Sequence, residues 1–196
     1  MDIKAQLAFD GVDLAYGSYP GLADLQGTLS VDKAGAKLPA LTFKLGGDPV
    51  TVAFTANWGD LANLLGATSA LKADVQLSVK SPKLNLDPIL AIAMVDDTPE
   101  EAAAKVREAQ DHSIPDLRSK VPAGLTFKSL IEVDSLVAKG ISTGKLKQQV
   151  QLKSRKLQST TDLGLYDGQF WERTNADFGV PGPTLTWQRG LSNLNV

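Results

Sequence analysis

Cysteine is absent from the 196 residues, which excludes disulfides and thiolate metal sites and suits either a reducing cytosol or a disulfide-free exported domain. Histidine occurs once, at His112, so a histidine metal cluster is excluded and any Ser-His-Asp arrangement must use this one imidazole. His112 follows Asp111 at the end of a charged stretch, where a helix C-terminus favours a solvated cation. No sign of charge dominates. Twenty Lys and Arg stand against 22 Asp and Glu, a net charge of −2, so no basic field draws in nucleic acid or an anionic membrane. The longest apolar run, Pro88 to Val95, is well short of the roughly 20 residues that cross a bilayer. The opening MDIKAQ has no signal-peptide character, and no direct membrane span is expected in this chain.

Catalytic patterns are missing as well. The pairs Asp96-Asp97 and Glu100-Glu101 are adjacent in sequence, do not face one another on a helix, and serve its capping. Gly46-Gly47 lies between strands and lacks a following Lys-Ser/Thr, so it reads as a hairpin rather than a phosphate loop. The lysines of KLKQQVQLKSRK alternate with Leu146, Val150 and Leu152 and have no aromatics among them to stack bases, which makes them a solvated outer face. Trp58, Trp171 and Trp187 are scattered and read as strand packing. No enzyme activity, metal or cofactor is expected.

What is present is period-two alternation, which puts successive side chains on opposite faces of a sheet. Hydrophobic residues make up 43% and charged residues 21%, enough apolar content for a folded core. Leu25, Gly27, Leu29 and Val31 interleave with Gln26, Thr28, Ser30 and Asp32; Leu41, Phe43 and Leu45 interleave with Thr42 and Lys44. Val50, Val52, Phe54, Ala56 and Trp58 form one side of a third run, and Leu71, Ala73, Val75, Leu77 and Val79 one side of a fourth. Ile3, Ala5, Leu7 and Phe9 begin an N-terminal strand. Asp32-Lys33-Ala34-Gly35 and Gly46-Gly47-Asp48-Pro49 are short turns that tolerate positive φ, so the strands they join are antiparallel hairpins and a meander is the simplest topology.

The middle departs from this pattern. Asp60 to Leu65 suits a helical turn, Leu86 to Val95 a short helix entered through Asp87 and Pro88, and Thr98 with Pro99 and Glu101 a capping box opening EEAAAKVREAQDH. Pro115 and Pro122 bound a loop. Alternation resumes at Leu125, Phe127, Ile131 and Val133, then at Leu146, Val150 and Leu152. Asp167-Gly168 marks a hairpin between Leu157 to Tyr166 and Gln169 to Phe178. Ser159 and Thr161 occupy positions where Leu163 and Leu165 lead one to expect apolar residues. A short Leu185–Trp187 strand follows the turn at Pro181-Gly182-Pro183. The expected fold is mainly β, with antiparallel meander sheets curved into a taco-shaped groove and a short helical insertion. Its parts are a β-rich half over 1–80, the insertion over 81–124 and a second β-rich half over 125–196, taken as one continuous domain.

LADLQGTLSVDKAGAKLPALTFKLGGDPVTVAFTANWGD, then SPKLNLDPIL from Ser81 to Leu90, resembles the C-terminal region of the AsmA-like family. LIEVDSLVAKGISTGKLKQQVQLKSRKLQSTTDLGLYDGQF is similar to that family's second segment, with Asp167 where its hairpin carries glycine. The likeness covers most of 20–95 and 125–178 and contains no catalytic signature. It implies a piece of a periplasmic protein anchored in the bacterial inner membrane, with a long hydrophobic β-groove engaged in phospholipid transfer toward, and homeostasis of, the outer membrane. The implied partners are phospholipid acyl chains and other envelope proteins. The residues expected to contact acyl chains are Leu29, Val31, Leu41, Phe43, Leu45, Val52, Phe54, Val75, Leu77, Ile131, Val133, Val150 and Leu152. The same alternation would also fill a closed β-sandwich or barrel acting as a structural or protein-interaction module, and what covers the apolar face separates the two readings.

Overall fold

The computed structural model describes residues 4–15, 21–59, 72–87 and 121–193. The strands among them are β1 (Lys4–Leu14), β2 (Leu22–Asp32), β3 (Gly35–Leu45), β4 (Asp48–Asn57), β5 (Lys72–Ser81), β6 (Leu84–Asn85), β7 (Gly124–Val133), β8 (Leu136–Ala138), β9 (Ile141–Thr143), β10 (Leu146–Lys153), β11 (Lys156–Leu165), β12 (Gly168–Asp177) and β13 (Thr184–Ser192). Ten form one sheet in the order β1-β2-β3-β4-β5-β7-β10-β11-β12-β13, and β6-β8-β9 form a small second sheet. The chain is mainly β, as its alternation requires. Asp60 to Leu65, most of Leu86 to Val95, the capped segment from Thr98 through His112, and both carboxylate pairs lie outside the described residues, as do Ile3 and Leu71.

The turns follow local chemistry. Gly46 and Gly47 both have positive φ, 59° and 92°, the requirement of a type I′ hairpin whose twist matches its strands. Asp32 Oδ1 accepts hydrogen bonds from Ala34 N at 2.8 Å and Gly35 N at 2.9 Å, which closes the β2–β3 turn. The β10–β11 turn meets the same geometric demand without glycine: Ser154 and Arg155 sit at φ 51° and 64°, a strained choice for residues bearing Cβ. Ser154→Asn should therefore raise stability by about 0.5 kcal/mol, read as a higher urea midpoint at unchanged m-value. Arg155 is less replaceable, because its Nε donates to Val121 O at 2.9 Å and its carbonyl accepts from Phe178 N at 2.8 Å.

Three expectations need correction. Every pairing in the large sheet is antiparallel except β5 with β7, which are parallel; the meander breaks there because the long connection between Ser81 and Gly124 permits a crossover that a short turn forbids. The second hairpin turns on Tyr166-Asp167 rather than Asp167-Gly168, since Leu165 pairs Gly168 across it and Tyr166 takes φ 51°. The last strand is not the short Leu185–Trp187 but runs from Thr184 to Ser192.

At the seam, the segment that opens SPKLNLDPIL becomes a knot. Ser81, buried, has its hydroxyl between the carbonyls of Pro49, at 2.7 Å, and Lys83. Leu84 N donates to Ser135 O at 2.9 Å and Leu86 N to Val137 O at 2.8 Å, which docks the short strand after β5 beside the one after β7. Asp48 Oδ2 accepts from Asn85 N at 2.7 Å, and the Asp87 carboxylate accepts from Lys139 N and Gly140 N. The Asp87 contacts satisfy donors in a turn whose residues both have positive φ, 52° and 71°. Both segments quoted for the family resemblance thus meet in one small sheet.

The buried hydrophobic residues among those described are Leu25, Val50, Ala56, Val133 and Ala176. The register puts all five on one face. The extensive contacts of the large sheet run between hydrogen-bonded neighbours along it, and the small sheet touches it at β4 and β11. Its ends, β1 and β13, do not pair with each other. The closed barrel held as an alternative is therefore not what forms.

Candidate functional site

Directly paired residues in a sheet project from the same face, so the register sorts every strand into two sides. Leu77 on β5 stands opposite Phe54 on β4 and Ser129 on β7. Val79 stands opposite Val52 and Ile131, and Val52 opposite Leu41, which pairs Gly27, which in turn pairs Phe9. This row carries only apolar side chains or glycine from β1 to β7. Gly27 is needed there because a Cβ would come within 2.6 Å of Ala40 O at the β3 bulge. A parallel row runs Val31, Ala36, Ala56, Val75, Phe127, Leu152, Leu157, Ala176 and Leu185.

All thirteen residues singled out from the sequence lie on this one apolar face. Leu29 and Val31 come from β2, Leu41, Phe43 and Leu45 from β3, Val52 and Phe54 from β4, Val75 and Leu77 from β5, Ile131 and Val133 from β7, and Val150 and Leu152 from β10. Val133 and Leu77 differ in exposure: Val133 is 1% exposed, while Leu77 is half-buried. The face also extends to residues the sequence reading did not select. Leu7, Phe9 and Leu14 on β1, and Phe170, Leu185, Trp187 and Leu191 on the last two strands, project the same way. On the edge strands this surface is open: Leu7 is 54% exposed, Leu185 69% and Leu191 58%.

The opposite face is polar and wet. Gln76, Ser78, Lys128, Gln149, Gln151 and Thr160 project from its centre, where they line a concavity of about 590 Å³. The concavity therefore opens on the polar side of the sheet. Lys147, Lys153 and Lys156 of the basic segment stand on this side too, with Lys156 Nζ 3.4 Å from Asp177 Oδ2. Trp171 lies over β13, where a Cβ at Gly190 would fall 2.6 Å from its ring, and so covers the one glycine of that strand.

Electrostatics on the described surface are local. The Gly179 N–H, 2.8 Å from Asp177 Oδ1, holds the Asp177 carboxyl below the ordinary carboxylate range, helped by Lys156. A lowered folded value means that its contribution to stability is present above the unfolded pKa and fades as pH falls through the folded one. An NMR titration should place the Asp177 midpoint below that of a free aspartate, and Lys156→Met should move it only part of the way back. Among the described residues no group of three His, Cys, Asp or Glu converges as a metal site, and no helix there is long and apolar enough to cross a membrane.

What this geometry offers is a surface, one side of a ten-stranded sheet. Nine strand spacings of about 4.8 Å make it about 43 Å wide, and ten residues at about 3.3 Å make it about 33 Å long. Comparison of the chain with protein-family models, curated proteins and solved structures finds no match in any of the three.

Proposed function

We propose that the apolar face accommodates phospholipid acyl chains and that the chain does so without catalysis, as a module of a periplasmic protein anchored in the bacterial inner membrane. Its task in that setting is phospholipid transfer between membranes or upkeep of the outer membrane, the role implied by its resemblance to the AsmA-like family. One observation carries the reading: the apolar rows run unbroken from β1 to β7, and at the β1 edge Leu7 on this face stands 54% exposed.

The energetics make such a surface useful. Each buried CH₂ is worth about 0.8 kcal/mol, so an acyl chain of about fifteen methylenes faces roughly 12 kcal/mol on entering water. A single chain reaches about 15 Å, half of a hydrocarbon core roughly 30 Å thick. The face is wide enough for several side by side. Head groups of such lipids stay in water.

The second reading, a protein-interaction module, draws on the sheet edges. Among the described residues, β1 and β13 each leave one side of their backbone without a strand partner, a template for strand addition. Other envelope proteins are the partners this would serve. Extraction of detergent-free purified protein followed by mass spectrometry separates the readings. Acyl-chain accommodation expects bound phospholipid and saturable uptake of a labelled analogue; repeated blanks in both would overturn it in favour of the second.

A further inference from the structure

The apolar face changes character across its width. The row that is apolar from Phe9 to Ile131 continues through Gln148, Thr161, Glu172 and Arg189 on β10 to β13. Beside it, Ser159 pairs Thr174, which pairs Trp187. Apolar rows flank this polar band on both sides, with Leu163, Phe170 and Leu191 along one and Leu157, Ala176 and Leu185 along the other.

Two charges in the band have no ion-pair partner among the described residues. Gln148 Nε2 donates to Thr161 Oγ1 at 3.4 Å, so the first two members satisfy each other. Glu172 and Arg189 pair in register, yet among the described residues the Glu172 carboxylate has no ion-pair or hydrogen-bond partner. The Arg189 guanidinium meets the Trp187 ring instead, 4.6 Å from its centroid. A charge among apolar side chains is disfavoured unless water or an opposite charge meets it.

We propose that Glu172 and Arg189 receive the head group of a zwitterionic phospholipid lying across the strands, with its acyl chains over the apolar rows that flank the band, Leu163 and Leu146 on one side and Leu157 and Leu152 on the other. The phosphodiester faces the Arg189 guanidinium and the ammonium faces the Glu172 carboxylate. Charge complementarity selects this occupant. The two side chains stand one strand spacing apart, about 5 Å, and an ethylene link separates phosphate from ammonium by a similar span. An anionic head group without an ammonium would leave Glu172 unmatched and repelled. Length agrees as well: from β12 to β7 these rows cover three strand spacings, about 14 Å, close to the roughly 15 Å reach of one acyl chain.

The inference deepens the acyl-chain reading and rests on it. Full-length chain is incubated with vesicles of equal parts phosphatidylethanolamine and phosphatidylglycerol, re-isolated without detergent, and its bound lipid classes are quantified. The expected result is a roughly threefold to fivefold enrichment of phosphatidylethanolamine, the scale of a partly exposed ion contact. Glu172→Ala should abolish the enrichment by lowering bound phosphatidylethanolamine while bound phosphatidylglycerol stays the same, and Glu172→Lys should turn it toward phosphatidylglycerol. Arg189→Ala should lower uptake of both classes. Circular dichroism should be the same for all variants, since both residues lie on the two strands at one edge and neither is buried. Bound lipid with the same class ratio in wild type and Glu172→Lys would overturn the head-group assignment alone. No bound lipid in wild type would overturn that assignment together with the reading beneath it.

Discussion

Val133→Asp should lower stability by about 4 kcal/mol, the scale of an uncompensated buried charge, and drop the melting midpoint by roughly 8–16 °C for a chain of this size. Val133 is the most buried large side chain described, 1% exposed. It stands on the apolar face at the end of β7, opposite Ser81 across the parallel seam and Leu146 on β10. None of these register neighbours is a cation, and the Ser81 hydroxyl is already placed between two carbonyls. The substitution therefore strikes where the two β-rich halves join and where the small sheet begins. It has a distinctive pH signature. Burial raises the folded pKa of the introduced carboxyl, so the penalty is small below its unfolded value near 4 and grows as pH rises above it. Val133→Thr, of nearly the same shape, buries a hydroxyl and should cost about 1–2 kcal/mol with no such pH dependence. Thermal melts of the three proteins at pH 4 and pH 7 check all of this. Equal loss at both pH values would mean that packing alone sets the penalty.

The seam is also where sequence and fold part company. Alternation fixes which face a residue takes, because a one-residue slip would send a whole strand's apolar set to water. It does not fix which strand lies alongside. The series Ala73, Val75, Leu77, Val79 reads the same beside an antiparallel or a parallel neighbour, so the pairing of β5 with β7 was invisible. Its supports were hidden for another reason. Asp87 meets the amides of Lys139 and Gly140, distant in sequence, and a lone aspartate carries no mark of so remote a partner.

Turn chemistry misled by one residue for a related cause. Asp167-Gly168 is the stronger local signal, but the observed register keeps Leu163 opposite Phe170 on the apolar face. That register puts Tyr166 at φ 51°, a strained conformation for a residue bearing Cβ. The same competition explains the undervalued last strand. Leu185, Trp187, Arg189 and Leu191 share a face, and the arginine breaks what would otherwise read as apolar alternation. Ser159 and Thr161, conspicuous in the sequence as polar residues in apolar positions, belong to the band that also contains Glu172 and Arg189. All thirteen selected residues lie on one face because each belongs to a period-two series that is mostly apolar, Gln148 and Ser129 being the polar members of two of them; Phe170 and Leu191 share their series with the charged Glu172 and Arg189.

Parity gives the acyl-chain reading its sharpest test, a comparison of substitutions one residue apart. Leu77→Asp should abolish detectable uptake of labelled phospholipid, a loss of about a hundredfold, since a carboxylate set beneath an acyl chain costs about 3 kcal/mol. Ser78→Asp should leave uptake within about twofold, because Ser78 projects into the wet concavity on the other face. Leu77 is half-buried on a central strand, so its substitution is read alongside strand content and melting midpoint. Leu191→Asp removes the remaining ambiguity. Leu191 is already 58% exposed on the edge strand, where a charge changes folding by about 0.5 kcal/mol at most, yet it borders the polar band on the lipid side. Reduced uptake in a fully folded Leu191→Asp protein ties lipid to the apolar face. Equal uptake in Leu77→Asp, Ser78→Asp and wild type would mean that lipid, if bound, lies elsewhere, and that the apolar rows serve another protein.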